Sequence, residues 1–101
     1  MNITRKSSKS GTVLSVDGEL TIYTVAQAKQ QLLDDHENLK SPVGLDLHAV
    51  SEIDTAGLQL LLFFQKHLSG LGKALRISKS NEQVDALVQH LDVGSYFTLD
   101  N

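Results

Sequence analysis

The chain has 101 residues, a formal net charge of −3, 41% apolar and 21% charged residues, and no cysteine or tryptophan. That length suits one domain built on one core, residues 1–101. The acidic balance without a basic stripe counts against a nucleic-acid binder, the missing cysteines remove disulfides, thiolate metal sites and a cysteine nucleophile, and two tyrosines with three phenylalanines are too few for an aromatic cage or base-stacking platform.

The N-terminal Met-Asn-Ile-Thr-Arg-Lys-Ser-Ser lacks the apolar core of a signal peptide. The longest apolar run, residues 60–64, falls far short of the roughly 20 residues that cross a bilayer. A cytoplasmic protein without direct membrane insertion is expected. The small basic cluster of Arg5, Lys6 and Lys9 reads as a solvated turn.

Residues 2–6 read as a short, charged edge strand and residues 7–11 as a turn. Residues 12–17 read as a second strand, so the two form a hairpin. Asp17-Gly18 then bends the chain before residues 19–23. Thr24-Val-Ala-Gln27 matches a capping box and opens a first helix. Its apolar face is Val25, Ala28 and Leu32, extended by Leu39 if the helix runs that far. Lys40-Ser41-Pro42 ends it, because a residue before proline avoids helical angles. Residues 43–50 read as a third strand, with Asp46 and His48 on one face. A second helix spans about residues 56–69 and stops at Gly70-Leu71-Gly72. Residues 73–78 read as a fourth strand. Ser80-Asn-Glu-Gln83 is a second capping-box match, opening a third helix with a stripe of Val84, Leu87, Val88 and Leu91. Residues 92–94 close that helix, and residues 96–99 read as a last short strand or apolar tail.

Helices thus alternate with strands after an N-terminal hairpin. The expected fold class is α/β: a mixed four- to five-stranded sheet, later strands parallel through right-handed crossovers, helices packed on the sheet.

The second helix has more apolar surface than packing on a sheet needs. Leu58, Leu61, Leu62 and Leu68 form one stripe; Leu60, Phe63 and Phe64 form another. The second stripe either meets a neighbouring helix or is partly exposed for docking. A polar hinge, residues 51–57, precedes this helix. It places the Thr55 hydroxyl at a helix start, where free N–H groups and the dipole favour negative charge. Such a hydroxyl caps the helix, docks on a partner, or takes a phosphate. Capping accounts for Asp54 and Thr55. Gly57 needs another reason, because glycine in a first turn costs about 1 kcal/mol against alanine. It suggests close approach of another backbone or of a partner.

Catalysis has little support. The histidines at 36, 48, 67 and 90 show no HxxxH or HExxH spacing, so no metal site is expected. A Thr55, His48, Asp46 triad can be drawn, but no nucleophile elbow is present. No Gly-rich phosphate loop is present either. The chain is read as a non-enzyme without a cofactor.

Ile53-Asp54-Thr55-Ala56-Gly57-Leu58, following Val43-Gly-Leu-Asp-Leu47, closely resembles the signature of STAS domains, the sulfate-transporter and anti-sigma-factor-antagonist family. Gly18-Glu19-Leu20 and the ending Leu91-Asp-Val-Gly-Ser-Tyr-Phe97 are similar to that family as well. One departure is Thr21, where the family often has Asp after Gly-Glu-Leu. The resemblance implies a bacterial partner-switching regulator of transcription. It would bind an anti-sigma factor that is also a GHKL-type serine/threonine kinase, and a phosphatase would reverse phosphorylation of Thr55. The implied partner-binding residues are Asp54, Thr55, Ala56, Gly57, Leu58, Leu60 and Phe64, with Gly57 admitting the kinase. The implied assembly state is a monomer or weak dimer. A second branch of the family implies an alternative, an adaptor on the ATPase of a lipid-transporting ABC system.

Overall fold

The computed structural model describes residues 1–34 and 36–91, and the backbone of Thr98–Leu99. Strands β1 (Asn2–Ser8) and β2 (Gly11–Leu20) form an antiparallel hairpin in register from Asn2↔Asp17 to Ser8↔Gly11. Gly11 has φ +133° and faces the Pro42 carbonyl, which would lie 2.3 Å from any Cβ at that position. Only glycine fits there. The sequence reading ends the second strand at Asp17, but β2 continues to Leu20. Gly18, at φ +104°, produces a bulge inside the strand instead of a turn out of it, and the register shifts between Gly18 and Glu19.

That bulge lets β2 serve two partners. Its first half pairs in parallel with β3 (Val43–Asp46), and its second half with β4 (Val50–Ile53). The expected single strand over residues 43–50 is therefore two. The break is local chemistry: Asp46 Oδ1 accepts from the His48 N–H at 3.1 Å, and the Leu47 carbonyl accepts from the Val50 N–H at 3.1 Å. An aspartate folded onto the backbone two residues on makes a tight turn. Strands β5 (Leu75–Lys79) and β6 (Thr98–Leu99) complete the order β1-β2-β3-β5-β6. All pairings after the hairpin are parallel, as expected. The short β4, added beside β2, is a sixth strand among the described residues.

Helix α1 (Val25–Leu33) packs on β1 and on α2 (Thr55–Gly70), and α2 lies against β2, β4 and β5. Helix α3 (Glu82–His90) packs on β4. α1 stops short of the predicted extension. A 3-10 turn, His36–Asn38, follows it and returns Leu39 to the core. Neither capping box forms as drawn. The Thr24 hydroxyl accepts from the Thr21 N–H at 3.0 Å and donates to the Glu19 carbonyl at 2.9 Å, so it builds the loop before α1. The cap of α3 is Asn81, whose Oδ1 accepts from the Val84 N–H at 3.0 Å. Asn81 Nδ2 also reaches the Val50 carbonyl at 2.9 Å, which fastens α3 to the β3–β4 turn.

One core runs through the fold: Leu14, Val16 and Leu20 of β2, Val43 and Leu45 of β3, Ala28 and Leu32 of α1, Leu58, Leu61, Phe64 and Leu68 of α2, Ile77 of β5, and Val84 and Val88 of α3. Each large side chain buried there contributes about 1.5–3 kcal/mol. Leu91, predicted for the α3 stripe, is exposed. The predicted helix stop at 92–94 and residues 96–97 of the terminal segment lie outside the described residues.

Candidate functional site

The site is assembled at the N-terminus of α2. Asp54 has extended backbone angles and is the N-cap. Its Oδ1 accepts from the Gly57 N–H at 2.9 Å and its Oδ2 accepts from the Ile22 N–H at 3.0 Å. One carboxylate therefore closes the first turn of the helix and pins the loop after β2 against it. The Ile22 amide, then the Gly57 amide, hold the Asp54 carboxyl below its ordinary value, because both bonds favour the charged form.

Thr55 follows as the first helical residue and is exposed. Since Asp54 does the capping, the fold does not need the Thr55 hydroxyl as a cap. The hydroxyl stands at the positive end of a 16-residue helix. Ala56 beside it is half-buried.

Gly57 is explained by the chain's own backbone. A Cβ at position 57 would lie 2.0 Å from the Leu20 carbonyl oxygen, and Gly57 is buried. The expectation that this glycine admits a partner is thereby corrected: the close neighbour is β2. Three further residues expected to touch a partner are also core residues. Leu58, Leu60 and Phe64 are 1%, 8% and 0% exposed. The second apolar stripe of α2 turns inward at Leu60 and Phe64 because α2 is covered by both the sheet and α1. Of the seven partner-contact positions, Asp54, Thr55 and Ala56 remain accessible. Phe63, named for the same stripe, is exposed.

Two neighbours escaped the sequence reading. Ile22 is 62% exposed and Tyr23 is 90% exposed, in the loop that Asp54 holds. The sequence reading gives residues 19–23 no element of their own, only a place after the Asp17-Gly18 bend; two apolar residues just before a helix-opening Thr are the available clue. Thr21 shapes this loop from beneath. It is buried, its hydroxyl donates to the Glu19 carboxylate, and its Oγ1 accepts from the Tyr23 N–H at 3.3 Å. At the position where the family often carries Asp, this chain therefore has an inward hydroxyl that supports the loop.

The catalytic triad drawn from the sequence does not form. The Asp46 carboxylate accepts from the main-chain N–H of His48 and caps the β3–β4 turn, and His48 is exposed on that turn. Among the described residues, no group of three or more His, Cys, Asp or Glu side chains is placed to hold a metal ion, and no helix is long and apolar enough to cross a membrane.

A family model described as "Mlab, STAS domain" matches residues 3–99. No curated protein matches the chain. Among solved structures, the chain is similar to an anti-sigma factor antagonist from Mycobacterium paratuberculosis, with TM-score 0.86, 17% identity, and coverage of 98% of this chain and 84% of that one. The anti-sigma factor antagonist SpoIIAA in its unphosphorylated form is similar at TM-score 0.76 and 15% identity, covering 99% of this chain and 89% of that one. The phosphorylated form of SpoIIAA, a Bacillus cell fate determinant, is similar at TM-score 0.70 and 14% identity, with 99% and 92% covered. At these identities the likeness is one of fold.

Proposed function

The chain belongs to the STAS-domain family, and from that premise we propose that it is a non-enzymatic, anti-sigma-factor-antagonist-like partner switch controlled by reversible phosphorylation of Thr55. The observation that carries the reading is the division of labour at the start of α2. Asp54 caps the helix and ties down the 21–24 loop, which leaves Thr55 exposed beside Ile22 and Tyr23. A phosphate on Thr55 adds about −1.5 to −2 charges at pH 7. The helix N-terminus offsets part of that charge, so the fold survives it. The surface around Ile22 and Tyr23 changes from an apolar patch beside a hydroxyl to one beside a dianion, and a partner patch fitted to the first rejects the second.

The partner on this reading is a cytoplasmic anti-sigma factor of the GHKL kinase type, with a phosphatase for the reverse step. Its contacts are Asp54, Thr55 and Ala56 with Ile22 and Tyr23. The test is phosphopeptide mapping of protein isolated from its native cell. Thr55 lies in the tryptic peptide of residues 41–66, which also contains Ser41 and Ser51. Phosphate on Thr55 under some growth condition supports the reading, and phosphate confined to either serine contradicts it.

The exposed Ile22–Tyr23 pair also favours a second reading, docking of the same face on the ATPase of a lipid-transporting ABC system. There the apolar pair and Thr55 act as plain interface residues and no phosphate is needed. Co-purification with an ATPase in place of a kinase distinguishes the two.

A further inference from the structure

Away from the start of α2, two histidines 31 residues apart meet, their rings tilted by 50° with centroids 4.6 Å apart. His36, on the 3-10 turn after α1, and His67, in the last turns of α2, bring their Nε2 atoms to 2.8 Å. We propose that this pair is a binding site for a divalent transition-metal ion of the zinc, nickel or copper class.

One hydrogen bond fixes where His36 carries a proton. His36 Nδ1 lies 2.8 Å from the Leu33 carbonyl oxygen, which can only accept, so Nδ1 carries the hydrogen. A neutral His36 then presents a lone pair on Nε2, and His67 Nε2–H donates to it. A backbone carbonyl holding one ring nitrogen so that the other can ligate is the arrangement that surrounds metal-binding histidines. His67 becomes the second ligand when its proton moves from Nε2 to Nδ1, a tautomer change that releases no net proton.

The pair is held from both sides. The Lys73 ammonium donates to the carbonyls of Glu37 and Leu39, the latter at 2.8 Å, and anchors the turn that carries His36. The His67 ring stacks on Phe63 with centroids 5.7 Å apart, and Lys29 Nζ covers Phe63 at 4.9 Å from its centroid. Beside His67 opens a groove of about 560 Å³ lined by Phe63, Lys66, His67, Gly70 and Leu71, through which water can fill the remaining coordination positions.

Two nitrogens bound to one tetrahedral zinc at ~2.0–2.1 Å sit ~3.3 Å apart. Starting from 2.8 Å, the rings must therefore separate by about 0.5 Å, within reach of small side-chain rotations. Imidazole suits zinc, copper and nickel, and affinity should follow the order Cu(II) above Ni(II) above Co(II). The nearby Lys29 and Lys66 cations, and the lack of a third protein ligand among the described residues, make this a site of modest affinity.

The test is isothermal calorimetry of the whole chain titrated with zinc chloride and, separately, nickel chloride. One ion should bind per chain. His36→Ala and His67→Ala should each weaken binding at least ~10-fold, the scale seen when even an outer-sphere partner of a metal site is lost, whereas His48→Ala and His90→Ala should leave it unchanged. His67→Gln keeps an N–H donor for His36 and guards the fold; it should weaken zinc equally. No heat with the unsubstituted chain, or unchanged binding in a folded His67→Gln chain, overturns the proposal.

Discussion

At the residue scale, Asp54 and Gly57 decide how α2 starts. Asp54 accepts from the amides of Gly57 and Ile22, so Asp54→Asn removes two charge-assisted bonds while keeping the shape. A loss of about 1 kcal/mol is expected in urea unfolding, allowing for solvent screening at this partly exposed group. The folded-state carboxyl titrates below its unfolded value of 3.8. Its contribution is therefore fully present above that value and is lost as pH falls through the lower folded-state pKa. The stability gap between the unsubstituted chain and Asp54→Asn should be constant from neutral pH down to about pH 5 and shrink below the unfolded value. At position 57, Gly→Ala gains helix propensity of about 1 kcal/mol but drives a methyl into the Leu20 carbonyl. Overpacking against backbone costs about 1–3 kcal/mol or more, so a net loss in the urea midpoint is the expected result. The sequence showed that Gly57 required a close neighbour. It could not show which one, because Leu20 is 37 positions away and meets it only once β2 and α2 pack.

At the element scale, α2 shows how far apolar pattern carries. Two stripes were legible in Leu58, Leu60, Leu61, Phe63 and Phe64, but their destinations depend on α1 and the sheet covering two sides of the helix. Phe64→Ala should cost about 3–5 kcal/mol, the usual range for a fully buried aromatic. The adjacent Phe63→Ala, at 41% exposure, should stay within about 1 kcal/mol. Urea unfolding of the two variants side by side checks this; equal losses would contradict the burial described. The division of residues 43–53 into β3 and β4 was hidden for a similar reason. The apolar run was visible, but the break comes from Asp46 folding onto the His48 amide, and a lone Asp in a strand pattern has no single meaning.

At the scale of the whole molecule, the alternation of strands and helices, apart from the β3–β4 division, and the position of Thr55 could be read directly, because helix and strand periods alternate and the Asp-Thr-Ala-Gly-Leu motif sits between them. The exposed Ile22–Tyr23 pair could not be. It becomes part of the site only when Asp54 draws the 21–24 loop against α2. On the proposed function, Tyr23→Ala should reduce partner affinity at least about tenfold, as loss of an interface tyrosine at a hot spot does. It should leave stability within about 0.5 kcal/mol, because the side chain is almost fully exposed.

The most direct test of the switch is the affinity of the captured partner for three chains measured together: unsubstituted, Thr55→Ala and Thr55→Glu. Thr55→Ala should bind as tightly as the unphosphorylated chain, and Thr55→Glu, which mimics part of the phosphate's charge, should bind at least about tenfold more weakly, a difference of about 1.4 kcal/mol. Equal affinity for all three would contradict the switch.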